Sequence, residues 1–478
     1  MEKKLNEKPS VKVVELQHRA AGSRCQWSCL AMKTRRLLFS LVTMLAGTAA
    51  WADVTIDETN FPDTNFRNYL LTQSYGKDGV LTDAEIAGVK NITLTYKSIQ
   101  SLQGIEFFTA MTKLDCRSNQ LTSLDVSGCT ALAELECRNN KLTSLNVSGC
   151  TALTYLSCYN NQITSLDVSE NVLLQTLHCY SNQLASLDVS KLTALTSLYC
   201  GGNQLTSLDV SENTMLTHLD CNSNQFTSLD LSKNMALIGL WCFTGQLASL
   251  NVSGCTSLTY LYVYDNQLTS LDVSGHTTLA QLDCHSNQIA SLDVSGCTAL
   301  KGLYCYGNQL ASLDVSVNTA LTTLRCEDNQ LTTLDVSKLT ALTYLYCNGN
   351  QLTTLDVSQN TRLVWLFCYQ NQIRDAGMDA FIENLPAQPY EYEIYIIYDE
   401  DEGNVMTTTQ VEAAKAKGWT PLCYQDGEWQ DYAGSNPTAI VTPRTGKANR
   451  LPDGKYLKDG RLAIIKDGKE YDASGAVK

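Results

Sequence analysis

The chain has 478 residues, 44% of them hydrophobic and 18% charged, the proportions of an ordinary soluble protein. Its net charge of −14 argues against nucleic acid as a partner, because phosphate binding needs clustered Lys and Arg. Residues 1–52 hold 9 of the 35 basic and 3 of the 49 acidic residues, so the remainder carries −20 and reads as a soluble extracellular body.

The longest apolar run, Leu37 to Ala50, is too short to span a bilayer. It follows Lys33, Arg35 and Arg36 and precedes Ala50-Trp51-Ala52. A basic stretch, a short apolar stretch and a small-x-small site together predict a secretory signal peptide over 32–52, with Met32 the start and 1–31 a mis-started extension. No cysteine follows the apolar run closely, so a lipid anchor is not expected, nor is a transmembrane segment in the mature chain.

Residues 53–113 are expected to cap a solenoid, whose end would otherwise leave leucines in water. Phe61-Pro62-Asp63 opens a predicted helix carrying Phe66, Tyr69 and Leu70, and Asp83 to Ala87 a second. Between them, Asp78-Gly79 and Glu85 resemble the back half of an EF-hand loop. Ser74 and Gly76 stand where two further acidic ligands belong, so Asp78 and Glu85 are weak metal candidates and a structural remnant is the favoured reading.

From 114 to 373 one unit is written thirteen times with no insertion, its leucine recurring every 21 residues from Leu114 to Leu366. The copy at Leu342 reads Leu-Thr-Tyr-Leu-Tyr-Cys-Asn-Gly-Asn-Gln and then Leu-Thr-Thr-Leu-Asp-Val-Ser-Gln-Asn-Thr-Arg. An unbroken period of this length with L-x-x-L-x-C-x-x-N spacing predicts a leucine-rich repeat solenoid, in which stacked units share one core. Parallel strands are expected on the concave face and mostly β or irregular structure on the convex side. The two half-repeats, LxxLxCxxNQ and LxxLDVSxxTx, resemble the bacterial 21-residue repeats of the IRREKO type. The mixture of cysteine and asparagine is similar to that of internalin-like proteins secreted by Gram-negative gut and oral anaerobes. That resemblance implies an adhesion or host-interaction surface and names no ligand.

Alternation in Leu-x-Cys turns the leucine and cysteine inward and three flanking residues outward. Twelve of the 19 cysteines, Cys116 to Cys368, share the inward position and are expected as buried thiols. Parallel neighbours ~4.8 Å apart do not meet the ~3.8 Å Cβ separation of a disulfide. The following asparagine, Asn119 and onward to Asn371, is expected to bond the next coil's backbone. In the second half ten of twelve positions are Asp, Asn146 and Asn251 excepted. Like charges so spaced predict raised carboxyl pKa values and stabilisation by mild acid or divalent cations, unless the neighbouring Ser and Thr neutralise them.

The outward positions of the cysteine half vary, and sixteen hold Tyr, Trp or Phe. The candidate ligand-binding residues are Trp241, Phe243, Tyr260, Tyr262 and Tyr264, then Tyr304 and Tyr306, then Tyr344, Tyr346, Trp365, Phe367 and Tyr369. Such aromatics suit protein interfaces and sugar faces alike, or cross-strand ladders without a ligand. The first five converge where Gly245 replaces the ladder asparagine and Val263 the cysteine, which predicts locally relaxed stacking. Tyr159 reads as an isolated aromatic.

After Ile373 the period stops. A helix near Gly377 to Leu385, a strand from Glu391 to Tyr398, a helix from Thr409 to Lys417 and a strand from Trp419 to Tyr424 predict an α/β C-terminal cap over 374–432. Residues 433–449 read as linker. Residues 450–478 carry Asp-Gly turns between short strands, either a small β-module or a segment resembling those used for export or surface attachment in type IX secretion.

The five histidines, His18, His178, His218, His276 and His285, have no metal-ligand spacing, and no phosphate loop or dinucleotide fingerprint occurs. No enzyme activity and no cofactor is expected. A host or bacterial protein is the expected partner, with a glycan-binding module or a ligand-free spacer as alternatives.

Overall fold

Each repeat places one three-residue strand around the leucine that precedes its cysteine position, from Lys113–Asp115 to Trp365–Phe367. Alternation is the reason: the central residue enters the core and its neighbours do not. The strands pair in parallel with a 21-residue offset, so that Leu198 lies between Leu177 and Leu219. The computed structural model describes residues 53–398 and 402–435, with the backbone of three tail strands. The expected extension and signal peptide, and 436–449 of the linker, lie outside the described residues.

Asn91–Thr93 adds a strand before the first repeat, and Tyr392–Tyr398, Trp419–Gln425 and Glu428–Asp431 add three after the last, giving a sheet of 17 strands. Among the described residues no pairing joins the first strand to the last, so the ribbon is open. The architecture is the leucine-rich repeat solenoid, with short helices confined to its two ends.

The leucine column is fully buried, and the cysteine column, with Val263 in its gap, nearly so. A buried leucine contributes roughly 2 kcal/mol by area. The thiols are free, and burial pushes that of Cys158 up to about 12. The ladder asparagine works backwards, bonding the preceding coil and not the next one. Asn203 Nδ2 donates to its own coil's Cys200 O at 2.9 Å and to Cys179 O at 3.1 Å, while its Oδ1 accepts Leu184 N at 3.0 Å. One side chain thus serves three buried backbone groups, and each carbonyl is shared with a neighbouring coil's asparagine, Cys179 O with Asn182 and Cys200 O with Asn224.

A second buried column, unread in the sequence, holds Cys129, Cys150, Asn171, Leu192, Asn213, Asn234, Cys255, His276, Cys297, Asn318, Leu339 and Asn360. Its donors reach the preceding coil's carbonyl: Cys150 Sγ to Val126 O at 3.1 Å, Asn213 Nδ2 to Val189 O at 3.0 Å, His276 Nε2 to Val252 O at 3.1 Å. The sequence signal was a position shared by Cys, Asn and His, types united by a short donor.

In the second half-repeat the aspartates are not strained. Asp188 Oδ1 accepts Ser190 N at 2.9 Å, and hydrogen bonds from the serine backbone and hydroxyl hold its carboxyl below the ordinary value. Second-half strands pair in only two places among the described residues, Ser123–Asp125 with Ser144–Asn146 and Ser228–Asp230 with Ser249–Asn251. These are the two exceptions to the aspartate column. Asn146 and Asn251 each donate to the preceding aspartate at 3.0 Å, replacing a like-charge contact by an attraction.

The entry cap is fixed by Asp63. Its carboxylate caps the helix Thr64–Thr72 through Phe66 N at 3.0 Å and holds Gln100 N at 2.8 Å. Glu85 belongs to a capping box: Thr82 N donates to it at 2.9 Å, and Asp78 accepts Val80 N at 3.1 Å. The EF-hand-like carboxylates are therefore spent on local backbone. At the other end lie helices Ala376–Glu383 and Thr408–Ala416, with Trp419 Nε1 donating to Pro386 O at 2.8 Å. Among the described residues no helix is long and apolar enough to cross a membrane. The tail strands Gly454–Lys458, Arg461–Lys466 and Lys469–Tyr471 form an antiparallel sheet.

Candidate functional site

The outward face of the long sheet repeats at the coil spacing, so rings at one repeat position fall into face-to-face stacks. Phe243, Tyr264, His285 and Tyr306 form one such column, with centroids 4.5, 4.4 and 4.1 Å apart and interplanar angles of 8–10°. The Arg325 guanidinium lies 4.4 Å over Tyr306 and 4.9 Å over Tyr346, a cation–π bridge. Tyr346, Phe367 and Tyr395 continue at 4.5 and 3.9 Å, and Trp429 meets Tyr395 edge-on at 4.8 Å. Glu327 holds Arg325 in place through Nε at 2.7 Å. Burial raises the phenol pKa of Tyr264, Tyr306 and Tyr346, so these rings stay neutral.

The other candidate residues attach to this track unevenly. Trp241 is sandwiched by His218 and Tyr262, each at 6.1 Å. Its ring lies across its own strand over Gly239, where a Cβ would stand 2.4 Å from Trp241 Cη2. Tyr260 faces the same glycine and is exposed. Tyr344 meets Trp365 edge-on at 5.7 Å, and Tyr369 stacks on Tyr398 at 5.1 Å. Tyr304 lies in register between Asp283 and Arg325. The repeat position alone could have drawn His285 and Arg325 into the list; Tyr395 and Trp429 carry no such signal, because they come from the cap.

Stacking is not relaxed at Gly245. Cys242 N, Thr244 N and Gly245 N all bond the following coil at 2.9–3.0 Å; what Gly245 removes is the side-chain oxygen that would accept Phe226 N. Thr244 sits beside it at φ 53°, a left-handed conformation costly for a β-branched residue.

Nor is Tyr159 isolated. It stacks on Tyr180 at 4.1 Å and lies beneath Arg138 at 5.2 Å. With Glu136, Tyr155, His178, Tyr199 and Asp220 these residues line an open depression of about 530 Å³. His178 sits edge-on between Tyr155 at 5.6 Å and Tyr199 at 4.6 Å, and burial lowers its pKa, favouring the neutral ring. This group mixes charged, imidazole and phenol side chains, so aromatic density in the sequence does not mark it.

The family described as Leucine Rich repeats (2 copies) matches residues 130–171, 172–213 and 319–360. Curated proteins give no match. Among solved structures, the functional domain of InlJ from Listeria monocytogenes, which includes a cysteine ladder, is 36% identical with a TM-score of 0.59 over 74% of this chain and 84% of that one. The internalin InlF from the same organism is 25% identical, TM-score 0.53, over 68% and 94%. A leucine-rich repeat protein of Leptospira interrogans, 23% identical with TM-score 0.53 over 65% and 97%, shares the fold. With its period, its buried cysteine column and that level of identity to InlJ, the chain belongs to the internalin-type leucine-rich repeat proteins.

Proposed function

We propose that this chain is a secreted or surface-displayed recognition and adhesion protein that binds a protein partner, of a host or another bacterium, through its aromatic concave face. The observation carrying this reading is the track from Phe243 to Trp429, in which rings from successive coils and the C-terminal cap adjoin. Order of this kind reduces the side-chain entropy lost on binding. It also bears on the ligand class: a sugar stacks on the face of a ring, and here most faces cover one another. What the track offers outward is ring edges and phenol hydroxyls, which suits a protein surface better than a glycan.

Trp241 is the residue to test, since interface hot spots favour Trp and truncation costs ~2 kcal/mol or more. At ~1.4 kcal/mol per decade, Trp241→Ala weakens binding by about 30-fold. Purified chain is presented to host and bacterial surface-protein fractions and to a glycan array, with Tyr390→Ala, exposed in the cap region, as control. Protein binding lost in the Trp241 variant and kept in the control supports the proposal. Equal binding by both moves the site elsewhere, a glycan signal replaces the ligand class, and silence on both leaves a spacer.

A further inference from the structure

The depression at the N-terminal part of the strand face is charge-balanced at one end and unbalanced at the other. At the first end every charge has a partner: Arg117 reaches Asp115 at 3.2 Å and Glu136 at 3.7 Å, and Arg138 Nε reaches Glu136 at 3.1 Å. Asp220 closes the other end. Its Oδ1 accepts the backbone and side-chain N–H groups of Asn222, and among the described residues no cation pairs with it. Burial raises its carboxyl above the ordinary aspartate value, a desolvation cost that a cation would offset. Tyr199 lies beside it in strand register. Gly201 gives the Asp220 and Asn222 side chains their room, since a Cβ there would stand 3.0 Å from Asp220 Oδ1 and 2.9 Å from Asn222 Nδ2. A part-buried carboxylate beside aromatic rings is the chemistry that holds a guanidinium or ammonium by charge and by cation–π contact.

We propose that this end of the depression receives a basic side chain, arginine or lysine, of the protein partner, its cation on Asp220 and its stem against Tyr180 and Tyr199. The proposal rests on the strand face being a protein-recognition surface and adds a ligand class on the strand next to Trp241, where Asp220 and Trp241 pair in register. The acidic chain around it, −14 overall, draws basic partners towards the face.

The probe is N-acetyl-arginine amide, titrated into the full chain and followed by saturation-transfer NMR, with the uncharged citrulline counterpart alongside. Saturable millimolar binding of the arginine probe, its absence for citrulline, and binding about tenfold weaker in Asp220→Asn are the expected results. Asp283→Asn, at an equivalent strand position where His285 already contacts the carboxylate, leaves binding unchanged. Tyr390→Ala, exposed in the cap region, also leaves it unchanged. Equal binding of the two probes, undiminished binding in Asp220→Asn, or no saturation by about 50 mM overturns the proposal, while the Trp241 test stands or falls by itself.

Discussion

The aspartate column shows how a charge pattern is reversed by the backbone beneath it. Spacing alone predicts repulsion and raised pKa values. Instead Asp167, Asp209, Asp293 and Asp314 each lie below the ordinary aspartate value, because the serine two residues on supplies its N–H and hydroxyl to each carboxylate. These bonds outweigh the repulsion between neighbouring carboxylates, which water screens. The linkage sign follows. A depressed folded pKa contributes stability that is present above 3.8 and is lost as pH falls through the lower folded values. The column's contribution to the melting temperature should therefore hold steady down to about pH 4 and drop on further acidification, the opposite of stabilisation by mild acid; a Glu402→Gln background removes the buried carboxyl whose pKa is raised to about 7 and which acts with the opposite sign. A melting temperature that rises between about pH 5 and pH 3 contradicts this. The column was legible in the sequence, but its electrostatics were not, since they depend on a turn that aims two donors at one oxygen.

At the scale of the element, the period made the repeating strand and its ladder asparagine readable, and failed where the period ends. Asn371 is the last asparagine in register, yet the ladder has one more rung. Asn404, 33 residues on in the C-terminal cap, donates to Cys368 O at 2.8 Å and accepts Ile373 N at 2.9 Å. Glu402 supports that turn, accepting Tyr398 N at 2.7 Å and Asn404 N at 2.8 Å. No sequence repeat could show this, because the cap reaches the same position by a longer route. Asn404 Nδ2 also donates to Ile396 O at 2.9 Å, so Asn404→Ala takes a partner from the buried Ile373 N–H and from that carbonyl, at a cost of about 1–3 kcal/mol. A chemical-denaturation midpoint unchanged in that variant would show that the cap does not depend on the rung. The second ladder is hidden for a related reason: Cys, Asn and His look unrelated until the shared carbonyl is visible, and Leu192 and Leu339 interrupt the run of donors.

For the whole molecule, the sequence disclosed which rings face outward and left open which of them meet. Trp241, Tyr262, Phe243 and Tyr264 could be paired from register alone. The bridge at Arg325, the extension into Tyr395 and Trp429, and the depression at Asp220 needed the fold, because each joins residues of different type or from outside the period. The one-neighbour connectivity of the coils has a mechanical consequence. A load along the stack is carried by hydrogen bonds between consecutive coils in series, and the free thiols add no covalent stop. Each coil that peels away turns a rise of ~4.8 Å into about 70 Å of extended chain, at ~3.3–3.6 Å for each of its 21 residues. Single-molecule stretching should therefore record a train of increments near 70 Å, whereas one abrupt rupture would mean the coils yield together. A tether of this kind lengthens under shear while the coils still folded keep their grip.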